Sequence, residues 1–207
     1  MNRRLWAVMA IAGLGIAATS FAGPDDKPRA KHMNKPSHGG TMATIEPGKP
    51  APDFTLTGYD GKTFELSKHK NKIVVLEWTN RDCPVCQKYE DDLKQTATKY
   101  MGKGIIWWSI DSTSMHDAKG NTEYYTEKKT PYPVLSDFDG HVGHEYGARV
   151  TPHVFIINKG TVAYEGAFMS EKKDKNYVAA ALDELMAGKS VSHNKTKAFG
   201  CSVKYKK

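Results

Sequence analysis

An α/β fold is what the sequence predicts, and three features predict it: an apolar run at residues 73–76, an amphipathic period over residues 84–101, and a second apolar run at residues 105–110. Strand, helix and strand in that order close as a right-handed parallel crossover. Ile73-Val74-Val75-Leu76 has no polar position and suits a strand buried on both faces. In the helix, Val85, Tyr89, Leu93, Ala97 and Met101 recur every four residues, with Lys88, Glu90, Asp91 and Lys94 between them. Trp78, Trp107 and Trp108 read as core.

The remaining elements follow from turn chemistry and period. Order is expected from Ala51. Phe54-Thr55-Leu56 and Thr63-Phe64-Glu65-Leu66 alternate around Asp60-Gly61, which predicts an extra N-terminal β-hairpin. Asn121 or Thr122 is expected to cap a short helix through Lys129, which Pro131-Tyr132-Pro133 ends before a strand at Val134-Leu135. Residues 137–146 read as a turn plus a short helix. A second hairpin is expected where Val154-Phe155-Ile156-Ile157 and Val162-Ala163-Tyr164 flank a turn at Lys159-Gly160, and residues 177–187 form a last helix stopped by Gly188.

The two ends read differently from the middle. Asn2-Arg3-Arg4, the uncharged apolar run 5–18 and Ser20-Phe21-Ala22 form a cleavable signal peptide over residues 1–22, shorter than the ~20 apolar residues a spanning helix needs. The mature protein is then expected to be periplasmic or secreted. Residues 23–50, rich in Pro, Gly, Lys and His, read as a flexible linker, residues 51–188 as one domain, and residues 189–207 as a basic C-terminal tail carrying Cys201. The net charge of +7 in 207 residues is modest and lies partly in that tail, so nucleic-acid binding is not inferred. His32, Met33, His38 and Met42 in the linker offer soft and imidazole ligands for copper, but their spacing is irregular.

The chemistry centres on Cys83-Pro84-Val85-Cys86. Cys83 falls at the strand-to-helix junction, with Pro84 at the first helical position, where its missing N–H costs nothing. Unpaired amides and the helix dipole favour an anion there, so the Cys83 thiol should ionise below the ~8.5 of free cysteine. Cys86 lies one turn along, close enough to close a small disulfide ring as the resolving thiol. A zinc site would want a second pair of ligands at short spacing, and Cys201, His153 and His193 supply none, so neither metal nor cofactor is expected. In an oxidising compartment three cysteines leave one over, which argues for a redox role rather than a plain structural framework.

Val75-Leu76-Glu77-Trp78-Thr79-Asn80-Arg81-Asp82-Cys83-Pro84, Tyr146-Gly147-Ala148, Val150-Thr151-Pro152-His153 and Gly200-Cys201-Ser202-Val203-Lys204-Tyr205 together resemble the redoxin-domain (AhpC/TSA-like) proteins of the thioredoxin superfamily. The resemblance implies a thioredoxin-like fold, a central mixed β-sheet flanked by helices, and either thiol/disulfide exchange or thiol peroxidase activity. It places Pro152 in a cis-proline loop facing the cysteines, with Thr151 and His153 beside it in the substrate-binding segment; a trans proline opening a strand is the plain alternative. It places Glu77 where a buried carboxylate exchanges a proton with the resolving thiol, or else forms a buried ion pair. Cys201 becomes a second candidate resolving thiol, or a free thiol on a loose tail. Two departures bear on the chemistry: Asp82 should oppose a thiolate at Cys83, and Asn80 stands where peroxiredoxins place a threonine.

These readings converge on an extracytoplasmic thiol/disulfide oxidoreductase that exchanges electrons with protein cysteines, with a membrane-embedded thiol reductase as a candidate electron source. The alternatives are an antioxidant thiol peroxidase using Cys83, Cys86 and Cys201, and a copper-handling binding protein built on the His/Met linker.

Overall fold

The computed structural model describes residues 44–207. The signal peptide, most of the linker and the copper-ligand candidates His32, Met33, His38 and Met42 lie outside the described residues. No helix among the described residues is long and apolar enough to cross a membrane.

The N-terminal hairpin pairs β1 (Thr55–Gly58) antiparallel with β2 (Thr63–Glu65), and Gly61 in its turn takes φ 78°, which a side chain would strain. β3 (Ile73–Trp78) and β4 (Ile106–Asp111) are parallel neighbours joined by α1 (Pro84–Met101), the crossover read from the sequence. α2 (Ala118–Glu127) begins earlier than expected because the Asp117 carboxylate accepts a hydrogen bond from the Gly120 amide at 2.7 Å and so caps it. Asn121 is buried inside that helix rather than at its start. β5 (Val134–Ser136) lies parallel to β4 and antiparallel to β1, and α3 (His141–Tyr146) follows. β6 (Val150–Thr151) leads through a cis Thr151–Pro152 bond into β7 (His153–Asn158), which forms the second hairpin with β8 (Thr161–Gly166). α4 (Tyr177–Met186) and β9 (Cys201–Ser202) complete the chain.

Seven strands make one mixed sheet in the order β2-β1-β5-β4-β3-β7-β8, with β3 parallel to β4 and antiparallel to β7. Strand alternation divides the core in two. Val75 and Trp107 face α1 and α4, packing against Tyr89, Leu93, Ala97, Tyr100, Val178 and Leu182. Val74, Leu76, Trp78 and Trp108 face the opposite side with Val142 and Tyr146 of α3. All three tryptophans read as core are buried. The α1 stripe is shifted from the four-residue spacing: Val85 and Met101 are only partly buried, while Tyr100 is buried and its hydroxyl donates to the Ala179 carbonyl at 3.0 Å.

Both chain ends of the described fold are packed. Residues 44–50, assigned to the linker from composition, hold to the body: the Ile45 amide donates to the Tyr146 carbonyl at 3.2 Å and the Gly48 amide to Val162 at 2.8 Å. Thr44 is buried and donates to the Gly147 carbonyl at 3.2 Å. Order therefore begins no later than Thr44, ahead of Ala51. The basic tail is an ordered strap rather than a loose end, since β9 pairs antiparallel with β6 and the Tyr205 hydroxyl donates to the Ala148 carbonyl at 2.7 Å.

Because Leu76 is fully buried in the central strand, Leu76→Ala should cost about 3 kcal/mol in urea unfolding, whereas truncating the exposed Met115 to alanine should stay within about 0.5 kcal/mol. Equal effects of the two would contradict this assignment of the core.

Candidate active site

The site is built where β3 ends and α1 begins. The Thr79 amide still bonds the Ile110 carbonyl at 2.9 Å, holding the chain to β4 for one residue beyond the strand. Asn80 then turns it: its side-chain oxygen accepts from the Asp82 amide at 2.7 Å and its carbonyl from the Cys83 amide at 3.0 Å. Cys83 is the N-cap of α1, with extended backbone, and Pro84 occupies the first helical turn. The Cys86 amide donates to the Cys83 sulfur at 3.5 Å and the Gln87 amide to the Cys83 carbonyl at 3.0 Å. A sulfur thus takes the place of the oxygen that usually caps a helix.

The fold gathers all three cysteines. Cys83 Sγ lies 2.7 Å from Cys201 Sγ and 3.2 Å from the Thr151 carbonyl oxygen, and Cys83, Cys86 and Cys201 are all free thiols. Cys201 reaches this position through β9, whose register sets Cys201 opposite Thr151 and Ser202 opposite Val150. Gly200 makes the approach possible: at φ 145° a Cβ there would stand 2.0 Å from the Thr151 carbonyl oxygen. Cys83 is 1% exposed and Cys86 8%, while Cys201 is intermediate and forms the outer face of the cluster.

The three thiols are not equivalent. A hydrogen bond from the Cys86 thiol draws the Cys83 thiol well below its ordinary value against the opposing effect of burial, with further hydrogen bonds from Cys201, the Thr151 side chain and the Cys86 amide. Donation to Cys83, followed by burial and the charge of Cys83, raises Cys86 well above the ordinary thiol. Cys201 is raised too, by burial and then by its bond to Cys83. Of the three, Cys83 is the thiol that ionises most readily.

Glu77 lies on the α1 face of β3, the parity of Val75. Burial pushes its carboxyl up to about 7, partly offset by the Ser109 hydroxyl, which donates at 2.8 Å. Glu77, Ser109, Cys86, Tyr125 and Tyr132 line a cavity of about 30 Å³, the room of roughly one water. Among the described residues Glu77 makes no ion pair, and its hydrogen bond is from a neutral hydroxyl. Pro152, in the cis form, is buried next to Thr151. His153 is placed differently from the other candidates: its Nε2 is 2.8 Å from Glu165 Oε1 and its ring lies against Phe155, within the β7–β8 hairpin.

One group escaped the sequence. His116, buried, sits between two carboxylates, with Nδ1 2.6 Å from Asp111 Oδ2 and Nε2 2.9 Å from Asp82 Oδ2. Asp111 also accepts from Asn121 Nδ2 at 2.9 Å, and Asn121 bonds Arg81. Burial disfavours the imidazolium, but the hydrogen bonds to Asp111 and Asp82 outweigh it and raise His116 above its ordinary value. Asp82, expected to oppose the Cys83 thiolate, is instead paired with a histidine that favours positive charge. Nothing periodic marks His116; Asp111 at the end of β4 and Asp82 beside Cys83 are the only hints.

Titration of Glu77 should be visible in stability. A carboxyl raised in the fold contributes stability fully below its unfolded value and loses it as pH rises through the folded one. Stability should therefore fall between about pH 4.5 and about pH 7, and Glu77→Gln should be more stable than the parent by about 3 kcal/mol above that window and equal to it below. Urea unfolding of the oxidised protein at several pH values measures this; a pH-independent difference would contradict it.

Comparison with known proteins brings in relatives of two activities. The profile of the AhpC/TSA family matches residues 47–165. The chain is 30% identical over 115 residues to the thiol-disulfide oxidoreductase ResA of Bacillus thuringiensis, covering 56% of this chain and 65% of that protein, so it spans just under two thirds of that relative's length. It is also 30% identical over 173 residues to the chloroplastic peroxiredoxin Q of Suaeda salsa, covering 77% of this chain and 76% of that one. Among solved structures, an uncharacterized conserved protein from Geobacillus kaustophilus aligns with a TM-score of 0.71 at 27% identity, covering 78% of this chain and 93% of that chain.

Proposed function

The chain belongs to the AhpC/TSA family, and within it we propose an extracytoplasmic thiol/disulfide oxidoreductase that exchanges electrons with the cysteines of protein substrates. The observation that carries this reading is the Cys83 sulfur at the N-cap of α1, its thiol drawn well below the ordinary value, with Cys86 one turn along and drawn the other way. A low nucleophile and a high resolving thiol in one ring suit exchange in both directions. Export rests on the signal peptide expected over residues 1–22, and a membrane-embedded thiol reductase is the electron source that such a compartment calls for.

In the oxidised protein Cys83 and Cys86 share a disulfide. A substrate thiolate attacks Cys83 Sγ, the Cys83–Cys86 bond breaks, and Cys86 leaves as a thiolate that takes a proton from Glu77 through the small cavity between them. A second substrate thiolate then attacks the substrate sulfur of the mixed disulfide and releases Cys83 as a thiolate. The substrate has lost two electrons and the protein has gained them. In the reverse direction the Cys83 thiolate attacks a substrate disulfide, and Cys86, deprotonated by the Glu77 carboxylate, resolves the mixed disulfide. A Glu77 carboxyl held at about 7 serves either direction near neutrality.

A peroxidase reading is favoured by one observation, the similarity to peroxiredoxin Q over 77% of the chain. In it a peroxide oxidises the Cys83 thiolate to a sulfenic acid, which Cys86 or Cys201 condenses to a disulfide with loss of water. The surroundings of Cys83 suit exchange better: Arg81 is bonded to Asn121, and the sulfur is enclosed by two thiols and a carbonyl.

Cys83→Ser should abolish disulfide exchange with a protein substrate, and reduced Cys86→Ser/Cys201→Ser mixed with a disulfide-bearing protein substrate should accumulate a mixed disulfide through Cys83, seen as an adduct by mass spectrometry. Exchange that survives Cys83→Ser would overturn the assignment. Peroxide consumption with a thiol donor at a rate exceeding protein-thiol oxidation would transfer the function to the peroxidase reading.

A further inference from the structure

The β6 edge beside Cys83 is already occupied. Val150 and Thr151 pair with Cys201 and Ser202, and the strap continues outward, the Val203 amide donating to the Arg149 carbonyl at 3.0 Å and the Ser114 amide to the Lys204 carbonyl at 2.9 Å. Tyr205 anchors its end, stacked on His144 at 4.1 Å and bonded to Ala148, while Gly140 and Gly143 leave room for the ring. Phe199 anchors its start, edge-on to Tyr89 at 6.0 Å. Under this strap Cys83 is 1% exposed, so the nucleophile cannot meet a macromolecular thiol while the strap is seated.

An extended chain that pairs along a free strand edge is a general mode of peptide recognition. The strap has the attributes of such a ligand: it is extended, it pairs in register with β6, and it presents a cysteine sulfur to Cys83. We propose that residues 199–205 are a tethered stand-in for the substrate, and that the site takes an extended, cysteine-bearing polypeptide strand with glycine before the cysteine, which displaces the strap to react. This inference rests on the exchange reading above.

The chemistry within the strap mirrors that with substrate. When Cys83 and Cys86 are joined, the Cys201 thiolate attacks Cys83 Sγ, the Cys83–Cys201 bond forms, the Cys83–Cys86 bond breaks, and Cys86 leaves as a thiolate that takes up the proton Cys201 gave up. No electrons enter or leave, so the step isomerises the disulfide and stores the oxidising equivalent under the strap. Glycine is specified because any Cβ at that position strikes the Thr151 carbonyl.

The test uses the protein with its Cys83–Cys86 disulfide and two synthetic peptides as reductants: Ala-Phe-Gly-Cys-Ser-Val-Lys-Tyr, copied from residues 198–205, and its counterpart with Val for Gly. The Gly peptide should react roughly tenfold faster with Tyr205→Ala than with the parent, a factor in line with losing one anchoring hydrogen bond, and should outpace the Val peptide by a similar factor. Equal rates for parent and variant, or for the two peptides, would overturn the proposal. So would loss of the peptide reaction in Cys201→Ser, which would make Cys201 a relay rather than a stand-in. Should Tyr205→Ala fail to fold, a second measurement decides. In Cys86→Ser/Cys201→Ser protein joined to the Gly peptide through Cys83, the Val203 and Ser114 amides should lose hydrogen-exchange protection, and unchanged protection would overturn displacement. Reduction by dithiothreitol separates the two levels: a Cys83–Cys86 disulfide that exchanges with dithiothreitol but ignores the strap variants sinks only this inference, whereas one that exchanges with nothing sinks the exchange reading itself.

Discussion

The hydrogen bond from the Cys86 amide to the Cys83 sulfur, which caps α1 with a thiol, is the interaction on which the rest of the site turns. It holds Cys83 at the positive end of an eighteen-residue helix whose axis is set by packing on the sheet. The Cys86 thiol, bonded to the same sulfur, does most to decide how one negative charge is shared among the three. Once Cys83 carries it, Cys86 is held protonated first by its bond to Cys83 and then by burial and like-charge repulsion, and Cys201 first by burial and then by its bond to Cys83, so both thiols move in the opposite direction. The Asp82–His116–Asp111 chain serves the same end, pairing the acid that would otherwise work against the thiolate.

Sheet parity supplies the proton. β3 must bury both faces, because α1 and α4 cover one and α3 the other, and the only ionisable residue in its six positions is Glu77. Burial without a cationic partner is costly and raises the carboxyl to about 7, so near neutrality the group is balanced between its protonated and ionised forms, as the proton transfer we propose requires. The cost falls on stability and the benefit on the exchange we propose.

How much of this was legible in the sequence divides by range. Local signals carried far: the crossover around residues 73–110, the Asp60-Gly61 hairpin, the placement of Cys83 before Pro84, and the core tryptophans all follow from period and turn chemistry, and each is present in the fold. Contacts over long separation were not legible. Cys201 is 118 positions from Cys83 and meets it only because β9 pairs with β6. Lysines dominate the composition of the tail and hide its alternation, in which Phe199, Cys201, Val203 and Tyr205 are partly buried while Ser202 and Lys204 face solvent. His116 carried no pattern at all, since a loop histidine acquires its role from residues on β4 and before α1. Composition likewise misjudged residues 44–50, whose order comes from backbone bonds that any residue type makes.

The central claim is that one sulfur of the three is the thiolate and that it is Cys83. Alkylation of the fully reduced protein as a function of pH, with the modified cysteine assigned by mass spectrometry in each fraction, tests it directly. Cys83 should carry the first adduct and titrate well below the ~8.5 of a free thiol, with Cys86 and Cys201 reacting only at higher pH. First reaction at Cys201 or Cys86, or a Cys83 that titrates like a free thiol, would contradict the account.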